Sequence, residues 1–177
     1  MRKDGEVKIP VRDRANKPGA IANYLSIMNV FKRAVKNNYE YIVLMEDDQV
    51  LTKDFKKKFQ KSIDDLESLD KPWDIMYLGS DESQNRAKII KRGLKVRRPF
   101  QDRKSKNIYG NNGYLIKKSA MKKILKHAFP MVEASDIFII GMGKNPFHKN
   151  PQYPKINEYY TAYPYIIETF NTSSTIG

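Results

Sequence analysis

Apolar residues recur at helical spacing near the start of the chain, within residues 16–38. The face that they define consists of Ile21, Leu25, Met28, Phe31 and Val35. This spacing predicts an amphipathic helix with one buried side. Pro18 suits the first turn of that helix, because a nitrogen without a hydrogen needs no partner there. Asn37 and Asn38 are expected to end it.

The next pattern is a continuous apolar run, YEYIVLME at residues 39–46. A run of this length without polar alternation is typical of a strand covered on both faces. A second helix is predicted over residues 52–70, with Thr52 as its N-cap. Its apolar stripe consists of Phe55, Phe59, Ile63 and Leu66. Another apolar run, WDIMYLGS at residues 73–80, predicts a second buried strand.

The same alternation of element types continues in the second half of the chain. Turn-forming residues at 110–113 precede a predicted strand at 114–116, and Ser119 is expected to cap a short helix. An apolar segment follows at 134–143, and a late strand is predicted within 159–170. Strands and helices at these spacings indicate an α/β domain with a mostly parallel central sheet flanked by helices. We therefore predict a single domain over residues 1–177, with residues 1–17 not assigned to an element.

Composition narrows the classes of function. The chain has 177 residues, of which 40% are hydrophobic, so it is long enough to bury a core. It contains no cysteine, which excludes disulfides, thiolate metal sites and cysteine nucleophiles. Its two histidines, His127 and His148, exclude a metal centre built from several histidines.

The charge of the chain is strongly positive, with a formal net charge of +13. Such a field attracts polyanions, including nucleic acid, anionic surfaces and phosphorylated small molecules. Residues 86–106 hold ten lysines and arginines against one aspartate, which predicts a basic loop or ribbon. A solvated lysine-rich face explains the same pattern without any partner.

The termini and the apolar runs bear on the location of the protein. The first residues contain no apolar segment of the kind found in signal peptides. The longest apolar run is far shorter than a membrane span. We therefore expect a cytoplasmic protein without a transmembrane segment, and the sequence leaves open whether it forms a homo-oligomer.

Three carboxylates, Glu46, Asp47 and Asp48, follow directly after the first predicted strand. Ligands of α/β proteins gather beyond the carboxyl ends of strands. Because Glu46 and Asp48 are separated by one residue, their side chains can face the same way. Together they fit one hard divalent cation, with substrate phosphates and waters as the remaining ligands. Acidic residues are also common in loops before a helix, so the cluster by itself leaves both interpretations open.

The first half of the chain contains, in this order, Gly19, Ser26, Glu46, Asp47, Asp48, Val50 and Phe55. This order of residues resembles glycosyltransferase family 25, which includes lipopolysaccharide-type and collagen galactosyltransferases. Further similar segments lie at 73–79, 110–125, 134–138 and 163–176. The resemblance covers roughly residues 18–176. The chain departs from it at Ile27, where the family has a histidine, and in the short stretch before Gly19.

The resemblance implies a GT-A-like fold and an inverting transfer of a hexose from a UDP-sugar to a hydroxyl group of a glycan or protein. It implies Mn²⁺ or another divalent cation, held by Asp48 with Glu46 or Asp47 assisting, and Asp136 as the catalytic base. Gly113 and Tyr114 would shape the sugar pocket. Gly19 and Ser26 would contribute to substrate binding. His148 is a further candidate metal ligand, and the basic segment 86–106 is a candidate site for the diphosphate or an anionic acceptor.

Other classes of function remain open at this point. One is a catalytically inactive glycosyltransferase-like binding module. A second is a basic protein that binds nucleic acid or another polyanion, with Phe100, Tyr109 and Tyr114 available for stacking. A third is a metal-dependent phosphoesterase, which usually draws on more histidines and acids than this chain offers.

Overall fold

The computed structural model describes residues 17–79, 88–91, 94–96, 113–141, 156–161 and 166–169. Within these ranges, the helices are α1 (Pro18–Lys36), α2 (Phe55–Glu67), α3 (Lys118–His127) and α4 (Ser135–Gly141). The first strands are β1 (Tyr41–Leu44), β2 (Gln49–Leu51), β3 (Ile75–Tyr77) and β4 (Lys88–Lys91). The remaining strands are β5 (Leu94–Val96), β6 (Tyr114–Lys117), β7 (Glu158–Thr161) and β8 (Ile167–Thr169). The prediction of an α/β chain is confirmed.

Six of these strands form one sheet in the order β1-β6-β3-β7-β5-β4, and β2 pairs with β8 in a separate two-stranded sheet. Among the described strands, only β3 and β7 pair in parallel, so the prediction of a mostly parallel sheet is wrong for this part of the chain. The reason is that β6 lies antiparallel between β1 and β3. The alternation strand–helix–strand correctly implies that β1 and β3 run in the same direction. It cannot tell that a later strand is inserted between them.

Helices cover the sheet on two sides, and each side has its own hydrophobic cluster. On one side, α1, α3 and α4 pack on the sheet around Tyr24, Phe31 and Tyr114. On the other side, α2 packs around Leu66, Trp73 and Leu115. Phe55, Phe59 and Ile63 join this second cluster, which confirms the predicted apolar stripe of α2. Alternate residues of β6 enter opposite clusters, as expected for a strand covered on both faces.

Helix α1 begins at Pro18 and is capped by Asn37, as predicted, but its buried face is rotated from the predicted one. The buried residues are Tyr24, Ile27, Met28, Phe31 and Ala34. Ile21 and Leu25, which were expected to be buried, are 38% and 42% exposed. The cause is Tyr24, whose hydroxyl donates to the carbonyl of Ala128 at 2.6 Å and whose ring packs against Phe138. This polar anchor decides which side of the helix faces inward.

Strand β1 is not covered on both faces, which corrects the prediction made from its apolar run. It is an edge strand that pairs with β6, and Tyr41 and Val43 are 57% and 41% exposed. Leu44 is buried, and Ile42 packs against the cluster on the α1 side. Both faces of the strand are apolar, but helices cover only one of them at this edge.

Two predicted helix caps are also wrong. Helix α2 begins after Asp54, and the Thr52 hydroxyl instead donates to the carbonyl of Ile166 at 3.1 Å. Helix α3 begins at Lys118, which places Ser119 inside the helix instead of at its cap. In both places the chain enters the helix from a strand or turn whose backbone is already held by tertiary hydrogen bonds.

The basic segment 86–106 is described in part. Its residues 88–91 and 94–96 form β4 and β5, an antiparallel pair joined to the sheet through β7, which fits the predicted ribbon. The predicted late strand is divided between β7 and β8. His148, Phe100 and Tyr109 lie outside the described residues. None of the helices in the described ranges combines the length and hydropathy needed to cross a bilayer.

Candidate functional site

Residues 45–48, here called the acidic turn, join β1 to β2 at the carboxyl end of β1. Gln49 closes this turn twice. Its backbone N–H donates to the carbonyl of Glu46 at 3.3 Å, and its side-chain Oε1 accepts from the N–H of Glu46 at 3.0 Å. Because the Gln49 side chain is buried, the backbone of the turn is held from inside the protein. The turn therefore presents its carboxylates from a fixed backbone.

The three carboxylates of the acidic turn have different environments. Asp47 is exposed, while Glu46 and Asp48 are half-buried. Oδ1 of Asp48 is buried and has no hydrogen-bond partner in the described part of the structure. A buried polar atom without a partner costs about 1–3 kcal/mol, so such atoms usually have a ligand or water to satisfy them. This oxygen is therefore the strongest sign of a cation site in the turn.

Glu46 is held by Asn23, a residue that the sequence analysis did not identify as part of the site. Nδ2 of Asn23, on α1, donates to Oε1 of Glu46 at 3.1 Å. Oγ of Ser135, at the start of α4, donates in turn to Oδ1 of Asn23 at 3.1 Å. These bonds connect α1, α4 and the acidic turn. They also bring the neighbouring Asp136, which is half-buried in the first turn of α4, to the same region of the protein.

Gly113, the residue before β6, lies beside Gln49 and Ile167. Its φ is +60°, a conformation that other residues rarely adopt. A Cβ atom here would lie 2.6 Å from Cδ1 of Ile167 and 3.1 Å from Oε1 of Gln49. The backbone and the packing therefore both require glycine, and Gln49 is the link between this position and the turn.

We expect Gly113→Ala to lower the free energy of unfolding by about 1–3 kcal/mol, because alanine is strained at this φ and its Cβ displaces Ile167 and Gln49. Urea denaturation measures this change. Gly19→Ala is the matched control, since Gly19 lies in the first turn of α1, where alanine is favoured. No loss at Gly113, or an equal loss at Gly19, would contradict this account of the glycine.

Tyr114 follows Gly113 and is completely buried, with its ring against Tyr77 at a centroid distance of 5.8 Å. Its hydroxyl has no hydrogen-bond partner among the described residues. Burial, and to a smaller extent the negative charge of Glu46, raises the pKa of the phenol far above its usual value. The side chain has no exposed surface, so in this conformation it supports the site from the core and does not contact a ligand directly.

We expect Tyr114→Phe to leave stability at neutral pH unchanged or slightly higher, because it removes a buried hydroxyl that bonds to no described residue. The folded protein retains a phenol proton that the unfolded chain releases above its usual pKa of 10.0. The wild type therefore loses stability as the pH rises through that value, by about 1.4 kcal/mol per pH unit, and the variant lacks this loss. Denaturation of both proteins between pH 8 and pH 11 checks this difference. Parallel curves would contradict it.

The other predicted site residues lie apart from this network. Gly19 is half-buried in the first turn of α1, and Ser26 is exposed further along the same helix. Asn23 and Gln49, which the sequence analysis missed, hold the turn instead. Asparagine is unfavourable inside a helix unless its side chain has a polar partner. The position of Asn23 beside an apolar face could therefore have indicated that it bonds to a polar group of another element. The sequence around Gln49 gives no comparable indication of its role in the turn.

The acidic side chains do not form a complete metal cage. In the described ranges, no group of three or more His, Cys, Asp or Glu side chains could hold a metal ion. Asp48 and Glu46 nevertheless fit a hard cation that takes most of its ligands from substrate oxygens and water, as Mg²⁺-type sites commonly do. These two side chains supply too few oxygen ligands for such a cation by themselves, so oxygens of a phosphorylated substrate would have to complete its coordination.

Comparison with known proteins finds similarity to glycosyltransferases. The sequence model of glycosyltransferase family 25 (LPS biosynthesis protein) matches residues 15–139. Procollagen galactosyltransferase 1-A of Xenopus laevis is 30% identical over 133 residues, which cover 72% of this chain and 20% of the relative. Procollagen galactosyltransferase 2 of Homo sapiens is 29% identical over 75 residues, 42% of this chain and 12% of the relative. A Bos taurus protein named probable inactive glycosyltransferase 25 family member 3 is 25% identical over 85 residues, 48% of this chain and 14% of the relative. The chain thus spans a fifth or less of the length of these relatives.

Proposed function

Because the chain belongs to glycosyltransferase family 25, we propose that it transfers a hexose from a UDP-sugar to a hydroxyl group of a glycan or protein, with inversion at the anomeric carbon. The observation that carries this proposal is the buried Oδ1 of Asp48, which has no hydrogen-bond partner among the described residues and lies in a turn whose backbone is fixed. A GT-A-like arrangement of the donor site is part of the same proposal.

The proposed cofactor is Mn²⁺ or another divalent cation. Asp48 would hold it, with Glu46 assisting, whereas Asp47 is exposed at the surface of the turn. A cation bound there would neutralise the negative charge that develops on the departing diphosphate. The protein contributes a turn that is held by Gln49 and Asn23, so its carboxylates need little rearrangement when the substrate binds.

Asp136 is the proposed catalytic base. The acceptor oxygen forms a bond to the anomeric carbon, the bond to the diphosphate breaks, and the acceptor proton passes to the Asp136 carboxylate. The hydrogen bonds from Ser135 through Asn23 to Glu46 support this assignment, because they place the start of α4 beside the acidic turn. Gly19 and Ser26 remain proposed substrate-binding residues, and Gly113 and Tyr114 act by supporting the turn.

The relatives suggest which donor to test first. Two of them are named procollagen galactosyltransferases, so UDP-galactose is the first choice and hydroxyl-bearing peptides and glycans are the first acceptors. The aligned stretches cover only 20% and 12% of those two proteins. The activity, donor and acceptor of the whole relatives are therefore proposals for this chain.

A second candidate function is a binding module that has the fold but no turnover. The observation that favours it is the similarity to the Bos taurus relative whose name marks it as probably inactive. Such a module would still bind the nucleotide.

Release of UDP from UDP-galactose in the presence of Mn²⁺, with and without hydroxyl acceptors, tests the proposal. We expect release that increases with acceptor and stops when the metal is chelated. Binding of UDP without release would support the binding module. Neither binding nor release would contradict both functions and would direct attention to the basic segment 86–106 and polyanions.

A further inference from the structure

Asn23 joins three separate parts of the chain through one side chain. It is half-buried on α1, donates to Glu46 in the acidic turn and accepts from Ser135 at the start of α4. Glu46 is 23 residues away along the chain and Ser135 is 112 residues away. Both contacts are therefore tertiary, and neither contributes to the formation of α1 itself.

The chemistry of the two partners determines the orientation of the Asn23 amide. A carboxylate accepts hydrogen bonds and cannot donate them, so the NH₂ group must face Glu46. The amide oxygen then faces Ser135, whose hydroxyl can donate to it. The reversed amide would place two acceptors against each other at 3.1 Å. Asn23 thus supplies a donor in one direction and an acceptor in the other, which an apolar residue at this position cannot do.

The surroundings keep Asn23 in place. The next residue, Tyr24, is completely buried and donates its hydroxyl to the carbonyl of Ala128 at 2.6 Å. Its ring packs against Phe138 of α4 at a centroid distance of 5.7 Å. Because α1 and α4 are packed together beside Asn23, its amide reaches Glu46 and Ser135 from a position that the core sets.

We propose that Asn23 is a positioning residue, which orients Glu46 toward the bound cation and keeps the segment that carries Asp136 at a set distance from the acidic turn. This inference rests on the proposed function, since it assigns a role in binding the metal–UDP complex. Residues that orient metal ligands typically contribute about 10-fold to 100-fold to metal affinity. Because Glu46 is the assisting ligand, we expect the lower end of that range.

The test is calorimetric titration of UDP in the presence of Mn²⁺ into the full chain, into Asn23→Ala and into Asn29→Ala. Asn29 is an exposed asparagine on the same helix, so it controls for the loss of an amide from α1. We expect Asn23→Ala to weaken binding by about 10-fold and Asn29→Ala to leave it unchanged. Thermal unfolding of each variant shows whether a loss of affinity can be explained by a loss of folded protein.

A double-mutant cycle with Glu46→Gln separates positioning from a merely structural role. If Asn23 acts through Glu46, Asn23→Ala has little further effect on affinity once Glu46 is replaced. Wild-type affinity in Asn23→Ala, or fully additive losses in the cycle, would overturn the inference while the proposed function stands. If the wild-type chain itself fails to bind UDP with Mn²⁺, the proposed function fails and the inference falls with it.

Discussion

Asp48→Asn is expected to abolish the Mn²⁺-dependent binding of UDP, with a loss of affinity of at least about 100-fold. Asparagine has nearly the same shape as aspartate but lacks the negative charge that a divalent cation requires from its protein ligand. The substitution acts on the carboxylate whose Oδ1 is buried and has no hydrogen-bond partner in the described ranges. The substitution replaces a charged group by a neutral amide, which costs less free energy to bury, so the folded protein should not be destabilised.

Asp47→Asn is the matched control for this prediction. It changes the same charge in the adjacent residue, but the Asp47 side chain is exposed. Long-range electrostatics alone would weaken binding by a similar factor in both variants. We expect a change within about 3-fold for Asp47→Asn, because exposed charges are screened by solvent and salt. A larger effect at Asp47 than at Asp48 would mean that the exposed Asp47, and not Asp48, holds the cation.

Asp136→Asn is expected to lower the rate of sugar transfer by about 10²-fold to 10⁴-fold, the usual range for a general base. UDP affinity should remain close to that of the wild type, because Asp136 is assigned to the acceptor and not to the diphosphate. Asparagine keeps the size of the side chain and one acceptor oxygen but cannot take up the acceptor proton.

Steady-state kinetics with varied UDP-galactose and varied acceptor measure this effect. The expected result is a fall in kcat with little change in KM for the donor. Asp47→Asn serves again as the control with an equal change of charge. Full turnover in Asp136→Asn would remove Asp136 from the mechanism. A parallel loss of UDP binding would instead assign it to the donor site.

Local patterns predicted the elements of this fold well, because each depended on short-range periodicity. Apolar spacing within one element predicts the stripe of α2 and the buried strand β3. The start of α1 follows from the preference of proline for a first helical turn at Pro18. The partners of those elements could not be predicted in the same way. The run at 41–44 is apolar enough for a central strand. Nevertheless β1 lies at the edge of the sheet, because among the described strands β6 is its only partner.

The candidate site was predicted in part for the same reason. The position of the acidic turn at the end of β1 follows from the sequence, since carboxylates directly follow an apolar run. The difference in burial between Asp47 and Asp48 could not be predicted, because the two adjacent aspartates look alike in the sequence. The role of Asn23 depends on contacts that form only when α1, α4 and the acidic turn are assembled. Gln49 bonds to Glu46 locally, but its residue type gives no sign of this role in the sequence.

The central claim is that the acidic turn binds a nucleotide diphosphate through a divalent cation, and calorimetric titration of UDP into the wild-type chain tests it most directly. One titration contains Mn²⁺ and the other contains EDTA. We predict saturable binding with Mn²⁺ and none with EDTA. Equal binding under both conditions would show that the basic side chains hold the diphosphate without a cation. Absence of binding under both conditions would contradict the claim.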